Sequence, residues 1–121
     1  MTTTATLTSA RWLRAAGALL AGLGVALAAY ASHGAGEDAR GNLLTAALFA
    51  FGHGVALAAL ARAVASRLSL AALAMLLLGT LVFAGTLVAR SLWGTSSAPA
   101  PFGGMVLMLG WLLYAASALR D

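Results

Sequence analysis

The chain has 121 residues, of which 62% are hydrophobic and only 8% are charged, with a mean hydropathy of +0.96. Soluble domains carry roughly 25% charged residues, so this composition excludes an ordinary water-exposed surface and indicates a protein embedded in lipid. The net charge of +4 comes from seven basic residues, all arginines scattered along the chain, and this distribution excludes a phosphate-binding patch for nucleic acid.

Four apolar stretches follow one another, and each approaches the roughly 20 residues that a helix needs to cross a bilayer. They cover residues 12–32, 43–64, 68–89 and 102–119. Backbone groups in lipid must pair within their own segment, so all four stretches are predicted to be helices. Residues 1–11 are predicted to be a disordered cytoplasmic N-terminus. Residues 12–119 then form one domain, an all-α four-helix transmembrane bundle.

The connections between these stretches are short, which predicts an up-down-up-down arrangement of the helices. Arginines are unequally divided between the two ends, with five on one side and two, Arg40 and Arg90, on the other. Cytoplasmic loops carry the excess of positive charge, so both termini are predicted to be cytoplasmic. The five arginines are Arg11, Arg14, Arg62, Arg67 and Arg120.

The first apolar stretch has an alternative interpretation. Arg11 and Arg14, followed by an apolar run and then Ala29-Tyr30-Ala31, resemble a secretory signal with a cleavage site. The apolar run exceeds the roughly 7–15 residues of a signal peptide, which favours a retained membrane helix.

His53 lies near the middle of the second predicted helix, roughly 15 Å along the axis from Asn42 at 1.5 Å per residue. An ionisable side chain near the bilayer midplane is a functional hypothesis by default. The alternative is a neutral imidazole that hydrogen-bonds a neighbouring helix and only fixes packing. Thr80 is the expected partner by depth, and Thr86 lies nearer the far end of the third helix.

His33 follows the first predicted helix, beside Glu37 and Asp38. It is either a pH-sensitive group at the membrane interface or an ordinary helix-end residue. His33 and His53 differ in predicted depth by roughly 15 Å, which argues against a shared haem iron. The chain has no cysteine and its acids lie outside the helices, so no metal and no cofactor are predicted.

Catalytic patterns are also missing from the sequence. No nucleophile, base and acid converge at one predicted depth, and no glycine-rich phosphate loop occurs. We therefore expect that the chain is not an enzyme.

Small residues recur at intervals of three and four along the predicted helices. Such spacing allows helix backbones to approach closely in lipid, so it predicts a tight bundle with little room for a pore. The residues with this spacing are Gly17, Ala21, Gly24 and Ala28; Ala50, Gly54 and Ala58; and Gly85 and Ala89. The fourth predicted helix adds Gly103, Gly104 and Gly110.

Four runs carry a resemblance to a known family: AAYASHGAGED (28–38), LLTAALFAFGHGVALAAL (43–60), LVFAGTLVAR (81–90) and PFGGMVLMLGWLLYA (101–115). Their order and spacing resemble those of the YgdD-like small inner membrane proteins, a domain-of-unknown-function family. The resemblance implies a four-helix inner membrane protein with a retained first helix, and it implies no activity. The motif positions are His33, His53, Gly85, Pro101, Gly103, Gly104 and Trp111.

The chain departs from the family pattern around the second histidine. Phe49-Ala50 stands where the family tends to have Tyr-Gln, and Ala84-Gly85-Thr86 stands in place of Ser-Gly-Ser. Without these polar groups, fewer side chains are available to hydrogen-bond around His53.

Three functional hypotheses remain open. The first is a structural or interaction component that binds membrane protein partners or a second copy of the chain. The second is a small transporter or proton-linked channel centred on His53 and Thr80. The third is a lipid-binding or cofactor-binding membrane module that uses His33 or His53.

Overall fold

The computed structural model describes residues 3–121, and this part of the chain contains helices and no β-strand. A short 3₁₀ turn, Ala61–Ala63, directly follows the second helix. All four α-helices are long and apolar enough to cross a membrane, so the predicted all-α fold with four membrane-spanning helices is confirmed. The helices are α1 (Thr4–His33), α2 (Glu37–Leu60), α3 (Arg67–Trp93) and α4 (Pro99–Arg120).

The first helix begins earlier than predicted. Residues 4–11, expected to be disordered, form the first turns of α1, while residues 1–2 of that predicted segment lie outside the described residues. The Thr3 side chain caps the helix by accepting a hydrogen bond from the Thr6 backbone nitrogen at 3.1 Å. Thr6 and Ala10 are each only 5% exposed, so this turn is held by packing as well as by its cap.

The other helix ends follow ordinary local chemistry. Glu37 and Asp38 occupy the first turn of α2, where negative charge is favourable, and this helix therefore starts before the predicted apolar run. Ser66 and Ser69 form a reciprocal capping box at the start of α3. Gly94 ends α3 with a φ of 68°, a left-handed conformation that favours glycine, and Pro99 opens α4.

Glycines bring α1 and α2 into backbone contact. A Cβ atom added at Gly54 would lie 2.6 Å from the Gly17 carbonyl oxygen and 2.6 Å from the Ala21 nitrogen. At Gly24, an added Cβ would lie 2.8 Å from the Phe51 nitrogen. Because residues early in α1 meet residues late in α2, the two helices run antiparallel.

A second set of glycines joins α3 to α4 in the same way. A Cβ at Gly79 would lie 2.9 Å from the Leu107 nitrogen, and one at Gly103 would lie 2.6 Å from the Phe83 nitrogen. Gly110, further along α4, faces the side chain of Leu76. These contacts also run antiparallel, so the chain consists of two tightly packed helical hairpins.

The two hairpins meet mainly through α2 and α3, while α4 packs chiefly against α3. Leu57, Leu73 and Leu76 are fully buried and lie in the core between the hairpins. The surface that remains is strongly apolar, with large exposed side chains on every helix, as lipid contact requires.

The glycines of α2 supply a matched test of this packing. Gly54→Ala places a methyl group against the α1 backbone and should lower the free energy of unfolding by about 1–3 kcal/mol. Gly52→Ala, on the same helix, meets nothing within 4 Å and should be neutral or stabilising by about 0.5–1 kcal/mol. Denaturation in mixed detergent micelles, followed by circular dichroism, measures both. Equal effects of the two substitutions would contradict the close contact.

Candidate functional site: the His53–Trp111 pair

His53 is half-buried within α2, and both of its ring nitrogens have hydrogen-bond partners. Nδ1 lies 3.0 Å from the Phe49 carbonyl oxygen, one turn earlier on the same helix. Nε2 lies 3.1 Å from the indole nitrogen Nε1 of Trp111 on α4. The imidazole therefore connects the first hairpin to the last helix.

The two hydrogen bonds define one protonation state of the ring. An indole N–H can only donate, so Nε2 of His53 must be the acceptor. A carbonyl oxygen can only accept, so Nδ1 must carry the proton. The network thus contains a neutral imidazole with its proton on Nδ1. Protonation of Nε2 would place two N–H donors against each other and break the bond between α2 and α4.

His53 and Trp111 belong to a column of rings that crosses three helices. The Phe83 ring on α3 lies 4.5 Å from that of Phe49, which stacks on His53 with ring centroids 5.6 Å apart. Trp111 lies 5.9 Å from His53 and meets Tyr114 edge-on at 6.3 Å. These distances are typical of favourable aromatic pairs, so stacking and hydrogen bonding together fix the position of the imidazole. Phe49 therefore supports His53 through its ring.

The surroundings of this pair are apolar. The imidazole and the indole line a shallow groove of about 270 Å³ together with Leu48, Phe49 and Gly52. Apart from the two hydrogen-bonded rings, this lining is apolar. Trp111 is 39% exposed on the outer surface, so the pair faces the lipid side of the bundle.

Thr80, the predicted partner of His53, and Thr86, predicted nearer the far end of the third helix, both bond within α3. Thr80 is fully buried and donates to the Leu76 carbonyl oxygen at 2.7 Å, so its expected hydrogen bond with His53 is not formed. Thr86 donates to the Val82 carbonyl oxygen in the same helix. Both hydroxyls satisfy the backbone of α3, and neither extends the His53 network.

His33 does not join His53. It is the last residue of α1 and is exposed at the helix end. Within residues 3–121, no group of three or more His, Asp or Glu side chains is placed to hold a metal ion.

Of the remaining motif positions, some contact a neighbouring helix and others do not. Gly103 contacts the backbone of α3, whereas Gly104 has only an ordinary contact with the Phe83 ring. Pro101 lies exposed in the first turn of α4. A Cβ at Gly85 would meet nothing within 4 Å, and this glycine lines an apolar groove rather than a helix contact. The glycine of α3 that does pack, Gly79, was not predicted from the sequence.

Comparison with known proteins gives a family match. A family described as "Protein of unknown function (DUF423)" matches residues 27–104, from the end of α1 to the start of α4. The matched region includes His33 and His53 and stops before Trp111. No curated protein and no solved structure matches the chain.

The His53–Trp111 hydrogen bond should stabilise the fold measurably. Trp111→Phe keeps a ring and removes the indole donor, while His53→Phe keeps a ring and removes the acceptor. A double-mutant cycle with both substitutions should give a coupling free energy of roughly 0.5–1.5 kcal/mol, the range for hydrogen bonds between membrane helices. Unfolding in mixed detergent micelles, followed by far-UV circular dichroism, provides the four stabilities.

Trp93→Phe is the matched control, because Trp93 is 73% exposed at the end of α3 and does not contact His53. It should change stability by less than about 0.5 kcal/mol. A coupling free energy indistinguishable from zero would mean that the indole and imidazole do not bond in the folded protein.

Proposed function

Because the chain belongs to the DUF423 family, whose function is unknown, we propose its role from its own geometry: a non-catalytic structural or interaction component of the inner membrane. Within that family, the motif positions His33, His53, Gly103 and Gly104 support kinship with the YgdD-like inner membrane proteins.

The bonding of His53 is the observation that carries this proposal. Both ring nitrogens have hydrogen-bond partners, one within α2 and one on α4. The imidazole therefore serves to fix the packing of these two helices. Thr80 and Thr86 likewise bond their own helix. A transport route needs polar groups that are free to exchange partners along a path, whereas these side chains already have hydrogen-bond partners within the chain. The protein therefore acts through its surface.

The charge at the ends of the bundle supports a topology with both termini in the cytoplasm. The antiparallel hairpins gather Arg11, Arg62, Arg67 and Arg120 at one end, where Ser66 donates a 2.8 Å hydrogen bond to Asp121. The opposite end carries Glu37 and Asp38 with only two arginines. This asymmetry is the pattern that positive-inside insertion produces.

Single cysteines test this topology, because the chain has none of its own. Ser97→Cys, in the exposed connection between α3 and α4, should react with a membrane-impermeant maleimide added to intact cells. Ala65→Cys, between α2 and α3, should react only after the cells are permeabilised. Labelling of Ala65→Cys in intact cells would contradict the proposed orientation.

Co-purification tests the interaction role. The tagged protein, extracted in a mild detergent after crosslinking in the membrane, should carry a reproducible membrane protein partner or a second copy of itself. The His53→Phe variant should keep its partner in reduced amount, because the bond to α4 is lost while the outer surface remains. Repeated recovery of a solitary monomer would overturn the proposal.

A flux assay separates this role from transport. In liposomes that contain a pH-sensitive dye, the wild-type protein and the His53→Leu variant should both leave the proton gradient intact. Proton or solute flux that is present in the wild type and lost in His53→Leu would favour a channel or transporter centred on this histidine.

A further inference from the structure

A polar cleft lies at the end of the bundle away from the chain termini. It opens between the first turns of α2 and the last turn of α3 and has a volume of about 250 Å³. Four of its six lining residues have polar or charged side chains. Asp38 and Asn42 contribute from α2, and Arg90, Ser91 and Gly94 contribute from the end of α3.

Aromatic residues place this cleft at the membrane–water interface. Trp93 is 73% exposed and directly precedes Gly94 of the cleft, and Tyr30 is 47% exposed near the end of α1. Exposed Trp and Tyr rings settle at the depth of lipid headgroups. The cleft therefore opens among headgroups rather than among acyl chains.

The cleft presents one charge of each sign. Arg90 and Asp38 both line it, on different helices, and no ion pair between them occurs in the described chain. Arg90 is anchored by an Nη1–H that donates to the Thr95 carbonyl oxygen at 3.3 Å, which leaves other guanidinium donors free. A ligand with an anionic and a cationic group close together complements this pair.

Ser91 adds a polar atom without a partner. Its Oγ is buried and makes no hydrogen bond, whereas Thr80 and Thr86 of the same helix donate to the carbonyl oxygen one turn earlier. It is the only buried side-chain oxygen or nitrogen in residues 3–121 that lacks a partner. Buried hydroxyls in proteins are normally hydrogen-bonded. Because Ser91 lines the cleft, a rotation of its side chain that turns the hydroxyl toward a polar ligand there would supply the missing partner.

We propose that this cleft binds the headgroup of a zwitterionic phospholipid with a primary ammonium, of the phosphatidylethanolamine class. Arg90 and the Ser91 hydroxyl donate to the phosphate oxygens, while the ammonium donates to the Asp38 carboxylate and to the Asn42 side-chain oxygen. Phosphatidylcholine lacks N–H donors for Asp38, and phosphatidylglycerol lacks the cation. The cleft thus distinguishes the three headgroups by charge and by hydrogen bonding.

Lipid retention measures this selectivity. The purified full-length protein in a mild detergent is mixed with equal amounts of phosphatidylethanolamine, phosphatidylcholine and phosphatidylglycerol with identical acyl chains. Native mass spectrometry then reports the bound fraction of each. The wild type should retain phosphatidylethanolamine roughly three- to tenfold over the other two, the ratio expected for one or two charge-assisted hydrogen bonds at an interface.

The two charge variants should change lipid retention in different ways. Asp38→Asn should abolish the preference for phosphatidylethanolamine over phosphatidylglycerol, because only the ammonium partner is lost. Arg90→Gln should lower retention of all three lipids, because the phosphate partner is lost. Glu37→Gln and Arg62→Gln are the matched controls outside the cleft, and both should behave like the wild type.

If a charge variant fails to fold, as judged by circular dichroism, Ser91→Ala and Asn42→Leu provide uncharged substitutions that should each weaken phosphatidylethanolamine retention.

Two results would overturn the proposal. One is equal retention of the three lipids by the wild type, or a preference that survives Asp38→Asn unchanged. The other is binding of soluble phosphoethanolamine with no selective retention of the lipid, which would assign the cleft to a free metabolite. Displacement of the retained lipid by an excess of phosphoethanolamine, lost in Asp38→Asn, would support recognition of the headgroup within the cleft.

Discussion

Close backbone contact at glycines is the interaction on which this structure depends. Lipid is as apolar as leucine, so helices in a membrane gain little by burying apolar side chains and associate through dense packing instead. Gly17, Gly24 and Gly54 allow this in the first hairpin, and Gly79 and Gly103 allow it in the second. Because each contact involves main-chain atoms, even one methyl group at these positions has no space to occupy.

Between the hairpins, polar bonding supplements packing. α4 contacts chiefly α3, so its position relative to α2 depends on few interactions. The indole of Trp111 and the imidazole of His53 form one of them, and the stacked ring of Phe49 fixes the imidazole from the other side. An ionisable residue within a membrane helix normally indicates chemistry. Here both ring nitrogens have partners within the chain, and one of these bonds joins α2 to the peripheral α4.

The number, type and approximate extent of the helices could be predicted from the sequence, because crossing a bilayer requires long apolar helices whatever their packing. The partner of His53 could not. Depth along the helix favoured Thr80, but depth does not determine which face of a helix meets which neighbour, and Thr80 bonds its own backbone. The faces of α3 could not be predicted for its glycines either. Only the folded structure shows that Gly79 packs against the backbone of α4, whereas Gly85 has no neighbour within 4 Å of an added Cβ. The early start of α1 depends on a threonine cap and on burial of Thr6, which composition alone does not reveal.

Polar side chains at the centre of the molecule differ from those at its ends in whether they have hydrogen-bond partners. Within the membrane-spanning part, His53, Thr80 and Thr86 all have partners inside the chain, as a medium without water demands. The buried hydroxyl without a partner belongs to Ser91, at the level where α3 reaches the interface. Water and lipid headgroups are available there, so a polar group without a partner in the chain is tolerated at that depth. The polar side chains at the centre of the bundle thus bond within the chain, and the unpartnered hydroxyl lies near its end.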